Sequence, residues 1–463
     1  MGEQSALHSF LSELSGLVWG PVLLVLLVGT GVYLTLRLGF LQFKTLPYAL
    51  RLAFKPDKKK KPGEKGDISH YQALTTALAA TIGTGNIAGV ATAVVLGGPG
   101  AVFWMWITAV FGMATKYAEA VLAVKYRIEG KDGQMSGGPM YYLSRGLKTK
   151  WLGKPLGMLF ALFGAVAAFG IGNMVQSNSV SDVVEGTFNI SPWVTGIVLT
   201  LLAGLVLLGG IKSIGRVTAL FVPVMAVFYV IGALIILALN ADLILPAFGT
   251  IFSDAFTANA VGGGILGSVI RYGVARGVFS NEAGLGSAPI AAAAARTDYA
   301  GRQALVSMTQ VFIDTIIVCT LTGLTIVMAG QYQGGLDGAD LTSASFELFL
   351  GEFGSYIVTI GLIFFAFSTI VGWSYYGEKC FGYLTNQRFI GLYKIVFVAF
   401  VLVGAVSQLS TVWVFADVMN GLMAFPNLIG LLLLSGVVAA ETNKFLKVAK
   451  QEKQQEKEQR QVG

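Results

Sequence analysis

Twice in this chain a glycine-rich, hydroxyl-bearing segment falls inside an apolar stretch long enough to cross a bilayer. The first is Thr81-Ile82-Gly83-Thr84-Gly85-Asn86 and the second is Gly277-Val278-Phe279-Ser280-Asn281-Glu282-Ala283-Gly284. A membrane-spanning helix satisfies its own N–H and C=O groups, and lipid can satisfy none. Backbone that leaves the helix at that depth must line a cavity, bind an ion or be covered by protein. Two such interruptions, each leading one half of a chain, point to a solute-binding site between two repeats.

The rest of the sequence agrees with an all-α polytopic membrane protein. Hydrophobic residues make up 54% and charged residues 12%, against about 25% charged in soluble domains. Apolar runs place about 11 transmembrane helices at 17–36, 70–96, 100–124, 155–177, 192–210, 216–239, 258–290 (broken), 303–329, 346–377, 390–408 and 411–440, with no water-soluble domain. The 59 glycines suit close helix packing. Cys319 and Cys380 read as packing residues, without a disulfide framework. The N-terminus lacks the basic region of a signal peptide.

A net charge of +7 invites a nucleic-acid reading, but its distribution excludes it. Loop 37–69 carries nine Lys or Arg, including Lys58-Lys59-Lys60-Lys61, and loop 125–154 carries seven. The other basic residues outside the spans or at their ends fall on the same side, at Lys212, Arg216, Arg296, Arg302, Lys379, Arg388 and Lys394 and in the tail from Lys444 to Arg460. The opposite side has no Lys or Arg but carries Glu3, Glu13, Asp182, Glu185, Asp242, Asp254, Asp337 and Asp340. By the positive-inside rule the N-terminus is outside and the C-terminus cytoplasmic, which requires an odd number of crossings. The basic loop and tail read as topology determinants and solvated faces, with anionic-lipid binding the alternative. The mixed-charge tail from Lys450 reads as frayed or disordered. Ser136-Gly137-Gly138-Pro139-Met140-Tyr141-Tyr142-Leu143 reads as an interfacial turn and short helix.

One extra helix precedes two groups of five. The first interruption opens group one and runs inside to outside; the second opens group two and runs outside to inside, as an inverted repeat requires. The chain therefore divides into 1–69 (outer N-terminus, first helix, basic loop), 70–239 (first repeat), 240–440 (second repeat) and 441–463 (cytoplasmic tail).

The first interruption should free carbonyls near Ala79 and Ile82 and amides near Thr84, Gly85 and Asn86. Freed amides at a helix start suit an amino-acid carboxylate, and freed carbonyls suit a hard cation such as Na⁺; glycine spacing taken alone is more often helix packing, and the adjacent Thr81, Thr84 and Asn86 turn the reading to a site. Gln176 and Asn173 are amides at membrane depth, which costs free energy unless they face a partner, so they are candidate ligands of substrate or of freed backbone. Asp314, with Gln310 one turn earlier, is open to three roles: cation ligand, proton-coupling group, or partner of Arg271 or Arg276. Lys116 and Glu119 read as snorkelling near a helix end. Glu282, after a helix-start Ser280, reads as a capping group or a substrate contact. Asp417 and Glu378 stay open. With only His8 and His70 and no nucleophile or phosphate-binding pattern, nothing resembles catalysis.

The strings Ala79-Ala80-Thr81-Ile82-Gly83-Thr84-Gly85-Asn86-Ile87-Ala88-Gly89-Val90, Gly97-Gly98-Pro99-Gly100-Ala101 and Arg276 through Ala288 strongly resemble the alanine-or-glycine:cation symporter family (sodium:alanine symporters) of prokaryotes. So do Ser136 through Tyr142 and Phe367 through Glu378, and the resemblance covers residues 17–440. That family resembles the leucine-transporter (LeuT) fold, a 5+5 inverted repeat preceded here by one extra helix. The resemblance implies a secondary active transporter of the cell membrane: sodium-coupled symport of a small neutral amino acid, alanine or glycine, by a monomer using alternating access. A sodium- or proton-coupled glutamine carrier of the same fold is the alternative, and a channel a distant one. It further implies a sodium site from the Phe365 carbonyl and the Ser368 and Thr369 hydroxyls, partnered by the carbonyls of Ala79 and Ile82. Thr369 and Trp373 would also face the substrate, Trp373 closing a small cavity or merely packing the bundle. Phe279 matches a position where this fold packs an aromatic ring on the substrate.

Overall fold

The computed structural model describes residues 6–54, 65–130, 133–256, 267–407 and 410–462. The expected charge markers Glu3, Lys58 to Lys61 and Lys131, and stretch 258–266 of the seventh crossing, lie outside them.

The chain opens with α1 (Ala6–Val18), α2 (Pro21–Arg37) and α3 (Leu41–Phe54). The first interrupted span follows as α4 (His70–Thr81), a π-helical turn Gly85–Gly89 and α5 (Val90–Gly97), bent by 55°. Ser69 starts α4 through a reciprocal cap. Its hydroxyl accepts from the Gln72 amide at 3.0 Å, and the Gln72 side chain accepts from the Ser69 amide at 3.0 Å.

Next come α6 (Ala101–Lys125), a hairpin of β1 (Ile128–Glu129) and β2 (Met135–Ser136), and α7 (Pro139–Gly146). The first half closes with α8 (Lys150–Phe169), a π turn at Gly170–Met174, α9 (Val175–Phe188), α10 (Pro192–Leu208) and α11 (Gly210–Leu239). The second half holds α12 (Ala241–Ala255), α13 (Ser268–Asn281) and α14 (Pro289–Ala293). Then α15 (Ala300–Val311) passes through a π turn at Phe312–Cys319 into α16 (Thr320–Ala329). Last come α17 (Gly338–Leu350), α18 (Glu352–Leu384), α19 (Ile390–Val406) and α20 (Ser410–Val462).

Among the described residues, seven helical stretches are long and apolar enough to cross a membrane, and the bent pair α4–α5 makes an eighth. The expected crossings at 192–210, 258–290 and 390–408 correspond to the shorter α10, the interrupted α13–α14 and the shorter α19. In α6 and α18 the apolar window is 83% buried, in α11 only 33%, so the first two form the bundle interior and α11 its lipid-facing rim.

Several segments read as loops are helical. α3 occupies the basic loop, α12 the stretch before the second interruption, and α17 precedes α18, the helix of the crossing expected at 346–377, which starts at Glu352 rather than 346. Gly351 separates α17 from α18 at φ +62°, a conformation glycine adopts without strain. The tail is helical to Val462 rather than frayed. Tertiary ion pairs hold it: Lys125 to Glu441 at 2.5 Å and Arg302 to Glu452 at 2.8 Å. The aromatic residues of α7 are buried, Tyr142 donating to Asn427 of α20, so this helix packs into the bundle rather than lying among headgroups.

Candidate functional site

Helix α4 ends at Thr81 because Ile82 turns to an extended conformation (φ −74°, ψ 94°). Carbonyls at the helix end thereby lose their intrahelical partners. Two adjacent hydroxyls on α18 reach them. Ser368 donates to the Ala79 carbonyl at 3.1 Å and to Phe365 at 2.8 Å. The Thr369 hydroxyl, with one proton to donate, lies within reach of three carbonyls, Ala79 at 3.0 Å, Ile82 at 3.4 Å and Phe365 at 3.1 Å. Five uncharged oxygens from two helices thus converge in a buried spot. A hydroxyl rotates freely, so the same oxygens offer lone pairs to a hard cation.

Beyond the break, Gln176 of α9 braces the start of the outer half-helix. Its Oε1 accepts from the Thr84 amide at 3.2 Å, and its Nε2 donates to the Thr84 hydroxyl at 3.1 Å and the Ile171 carbonyl at 2.9 Å. Gly83 leaves room for this packing, since a Cβ there would stand 2.4 Å from the Thr369 hydroxyl. Asn173 is turned elsewhere: its amide donates to the Phe397 carbonyl of α19 at 2.6 Å.

The two interruptions touch. A Cβ at Gly85 would lie 3.2 Å from the Ser280 Cα and 3.3 Å from the Phe279 ring. Asn86 accepts from the Gly83 amide at 2.9 Å and donates to the Asp314 carboxylate at 2.8 Å. Ser280 and Thr315 donate to the other oxygen of Asp314 at 2.9 and 2.7 Å. Asp314 is completely buried among these donors, and Gln310 sits beside them, donating to the Asn281 carbonyl at 3.3 Å.

The pairing of Asp314 with Arg276 is not found. Arg276 pairs with Asp417 of α20 at 3.3 Å and lies over the Phe279 ring at 5.5 Å. Phe279 in turn stacks on Trp413 at 6.0 Å. Arg271 lies over Tyr272 instead. Glu378 pairs with Lys394 at 3.0 Å.

Two further expectations are corrected. Lys116 and Glu119 do not snorkel; both are fully buried, 3.9 Å apart. Glu119 accepts from the amides of Gly284 and Gly286, each at 3.1 Å, and from Asn427 at 2.7 Å, so it holds the backbone of the second break. That break falls after Asn281, so Ser280 ends the first half-helix rather than starting the second. Glu282 adopts φ +57° and accepts from Ser287 at 2.6 Å. Trp373, one turn after Thr369, lies edge-on to Tyr376 at 5.6 Å and presses on Gly172.

Sequence reasoning missed Ser280, Thr315, Trp413, Glu119 and Asn427 as neighbours of the site. Two of them left a trace: Ser280 lies within the second interruption, and Glu119 is a carboxylate deep in an apolar span, which needs partners such as the amides of Gly284 and Gly286.

A helical bundle spanning the membrane, with two broken helices meeting at its centre, is the architecture of a secondary transporter of the LeuT-like type. The chain belongs to the sodium:alanine symporter family, whose sequence profile matches residues 4–460. It is 62% identical over 448 residues to the sodium/alanine symporter AgcS of Methanococcus maripaludis, covering 96% of this chain and 98% of that one. It is 38% identical over 438 residues to the probable sodium/glutamine symporter GlnT of Bacillus subtilis, covering 94% and 90%. Among solved structures, MhsT in complex with L-phenylalanine superposes with a TM-score of 0.61 at 16% identity, over 82% of this chain and 93% of that one. That likeness concerns the fold alone.

Proposed function

We propose that this chain carries a small neutral amino acid, alanine or glycine, into the cell by sodium-coupled symport and alternating access. The observation that carries this reading is the convergence of Ala79, Ile82, Phe365, Ser368 and Thr369 oxygens at the first break. The set contains no titratable group, so its natural occupant is a metal cation rather than a proton. The name of the relative at 62% identity, a sodium/alanine symporter, supports the same assignment.

In this reading the substrate carboxylate is received at Thr84, Gly85 and Asn86, where it takes over the Thr84 amide that Gln176 Oε1 holds in this structure, and Gln176 Nε2 stays beside it. Thr369 and Trp373 bound the side-chain end, and Phe279 covers the site. Asn173 serves helix packing. Asp314 is a second candidate cation ligand, because it is a buried carboxylate with three donors and, among the described residues, no ion pair. We place eleven crossings around these elements in two inverted groups of five, with the N-terminus outside, the C-terminus in the cytoplasm and one chain as the working unit.

The test is uptake into proteoliposomes across amino acids and ion gradients. Alanine uptake should require an inward Na⁺ gradient. Uptake driven by a pH gradient with no response to Na⁺ would overturn the reading. Glutamine outcompeting alanine would transfer it to a glutamine carrier, and flux without accumulation to a channel.

A further inference from the structure

Where the apolar part of α20 gives way to its charged end, α3 lies alongside and the two bound a cleft of about 510 Å³. Lys44 and Arg51 of α3, Arg302 at the start of α15, and Lys450 and Lys453 of α20 line it. The single carboxylate on its wall, Glu452, is already engaged by Arg302 at 2.8 Å. Four exposed cations, Lys44, Arg51, Lys450 and Lys453, therefore face the cleft, with no further carboxylate among the described residues of its wall. Like charges held together this way favour binding of an anion.

The surroundings indicate which anion. Helix α3 buries Leu41, Ala49 and Ala53 against the bundle, yet exposes Phe43 (57%) and Phe54 (57%) next to its basic residues. Exposed rings beside cations mark a helix lying in the membrane interface, rings among acyl chains and charges among headgroups. The cleft also has apolar walls from Leu52 and Leu446. Cations above apolar walls at this depth fit a phosphodiester that carries acyl chains, and fit a free phosphate ion poorly.

We propose that this cleft binds the headgroup of an anionic phospholipid, its phosphate held between α3 and the polar end of α20. The bound lipid would bridge α3 and α20 beside the Arg302–Glu452 pair, which ties α15 to α20.

The test uses the full chain in uncharged detergent and follows its thermal unfolding midpoint during titration with phosphatidylglycerol, phosphatidylcholine or inorganic phosphate. Phosphatidylglycerol should raise the midpoint and phosphatidylcholine should not. In the triple variant Arg51→Gln, Lys450→Gln, Lys453→Gln, the half-saturating concentration should rise about a hundredfold, because each basic residue near a phospholipid headgroup contributes several-fold to binding. A control variant, Lys148→Gln, Lys150→Gln, Lys154→Gln, removes equal charge elsewhere and should respond as the parent does. If the triple variant does not fold, Lys450→Glu at the exposed helix face replaces it, with phosphatidylglycerol adducts counted by native mass spectrometry. An unchanged response in the cleft variant, equal loss in the control, or the same shift from inorganic phosphate alone would each overturn the proposal.

Discussion

The hydroxyl of Thr369 donates to the carbonyl of Ala79 across 3.0 Å, joining residues 290 positions apart. Nothing in local sequence links them. One is a helix-interior residue of α18; the other is an alanine whose carbonyl is available only because the chain leaves the helix at Ile82. If these oxygens hold the coupling ion, Thr369→Val keeps shape and removes one ligand. The Na⁺ concentration for half-maximal uptake should then rise about tenfold or more, corresponding to about 1.5–3 kcal/mol for a contact to a charged group. It is measured at saturating alanine. Unchanged Na⁺ affinity would place the ion elsewhere, with Asp314 and Gln310 as the leading site.

Gln176 bears on the amino acid. Gln176→Leu removes both bonds to Thr84 and leaves the Thr84 amide unbraced. Alanine binding at saturating Na⁺ should weaken by about tenfold, since an unsatisfied buried donor costs about 1–3 kcal/mol. Ion and substrate share one coupling free energy, so each variant also disturbs the other ligand below saturation. An alanine affinity equal to that of the parent would remove Gln176 from the binding site.

Asp314 tests the identity of the coupling ion. Asp314→Asn preserves size and removes the charge that Asn86, Ser280 and Thr315 surround. Uptake at limiting Na⁺ should fall at least about tenfold, and the parent should stay insensitive to an imposed pH gradient. Proton-driven uptake in the parent, abolished by Asp314→Asn, would instead make this residue a proton carrier.

Trp373 bears on substrate size. Trp373→Ala opens space next to Thr369 and should weaken alanine transport while admitting longer side chains. Gly172→Ala should act on the same ring, because its Cβ would come within 2.2 Å of the Trp373 Cβ. Competition assays with leucine and glutamine decide this. If both already compete equally with alanine in the parent, the ring does not set a volume limit.

The Lys116–Glu119 pair bears on stability. Glu119→Ala leaves a buried ammonium without its counter-ion and frees two glycine amides, so unfolding in detergent should become easier by about 3–5 kcal/mol. The double variant Lys116→Met, Glu119→Gln should recover most of that loss. A single variant as stable as the parent would show that Glu119 does not hold the second break.

Much of this protein was legible in its residues because the bilayer leaves a chain few choices. Apolar length fixes where helices can run, and glycine with hydroxyls inside such a run marks where one must open. That logic located the break at Ile82 and selected Thr84, Asn86, Gln176 and Asp314 as polar groups needing a partner. It could not say which partner. Asp314 turned to Asn86 and Ser280 rather than to Arg276, and Asn173 turned to the Phe397 carbonyl, because helix rotation in the packed bundle decides which face a side chain presents. It also could not separate a loop from a helix in the polar stretches. α3, α12, α17 and the end of α20 are amphipathic or mixed in charge, and their helical state depends on tertiary neighbours, as the pairs of Lys125 and Arg302 with α20 illustrate. Of the π-helical turns among the described residues, the one at Gly85 falls in a segment read as interrupted, whereas those at Gly170 and Phe312 were not foreseen. Sequence by itself determined the class of fold and the chemistry available at two broken helices. Tertiary packing alone decided which oxygens meet, because it sets the register between helices that lie hundreds of residues apart.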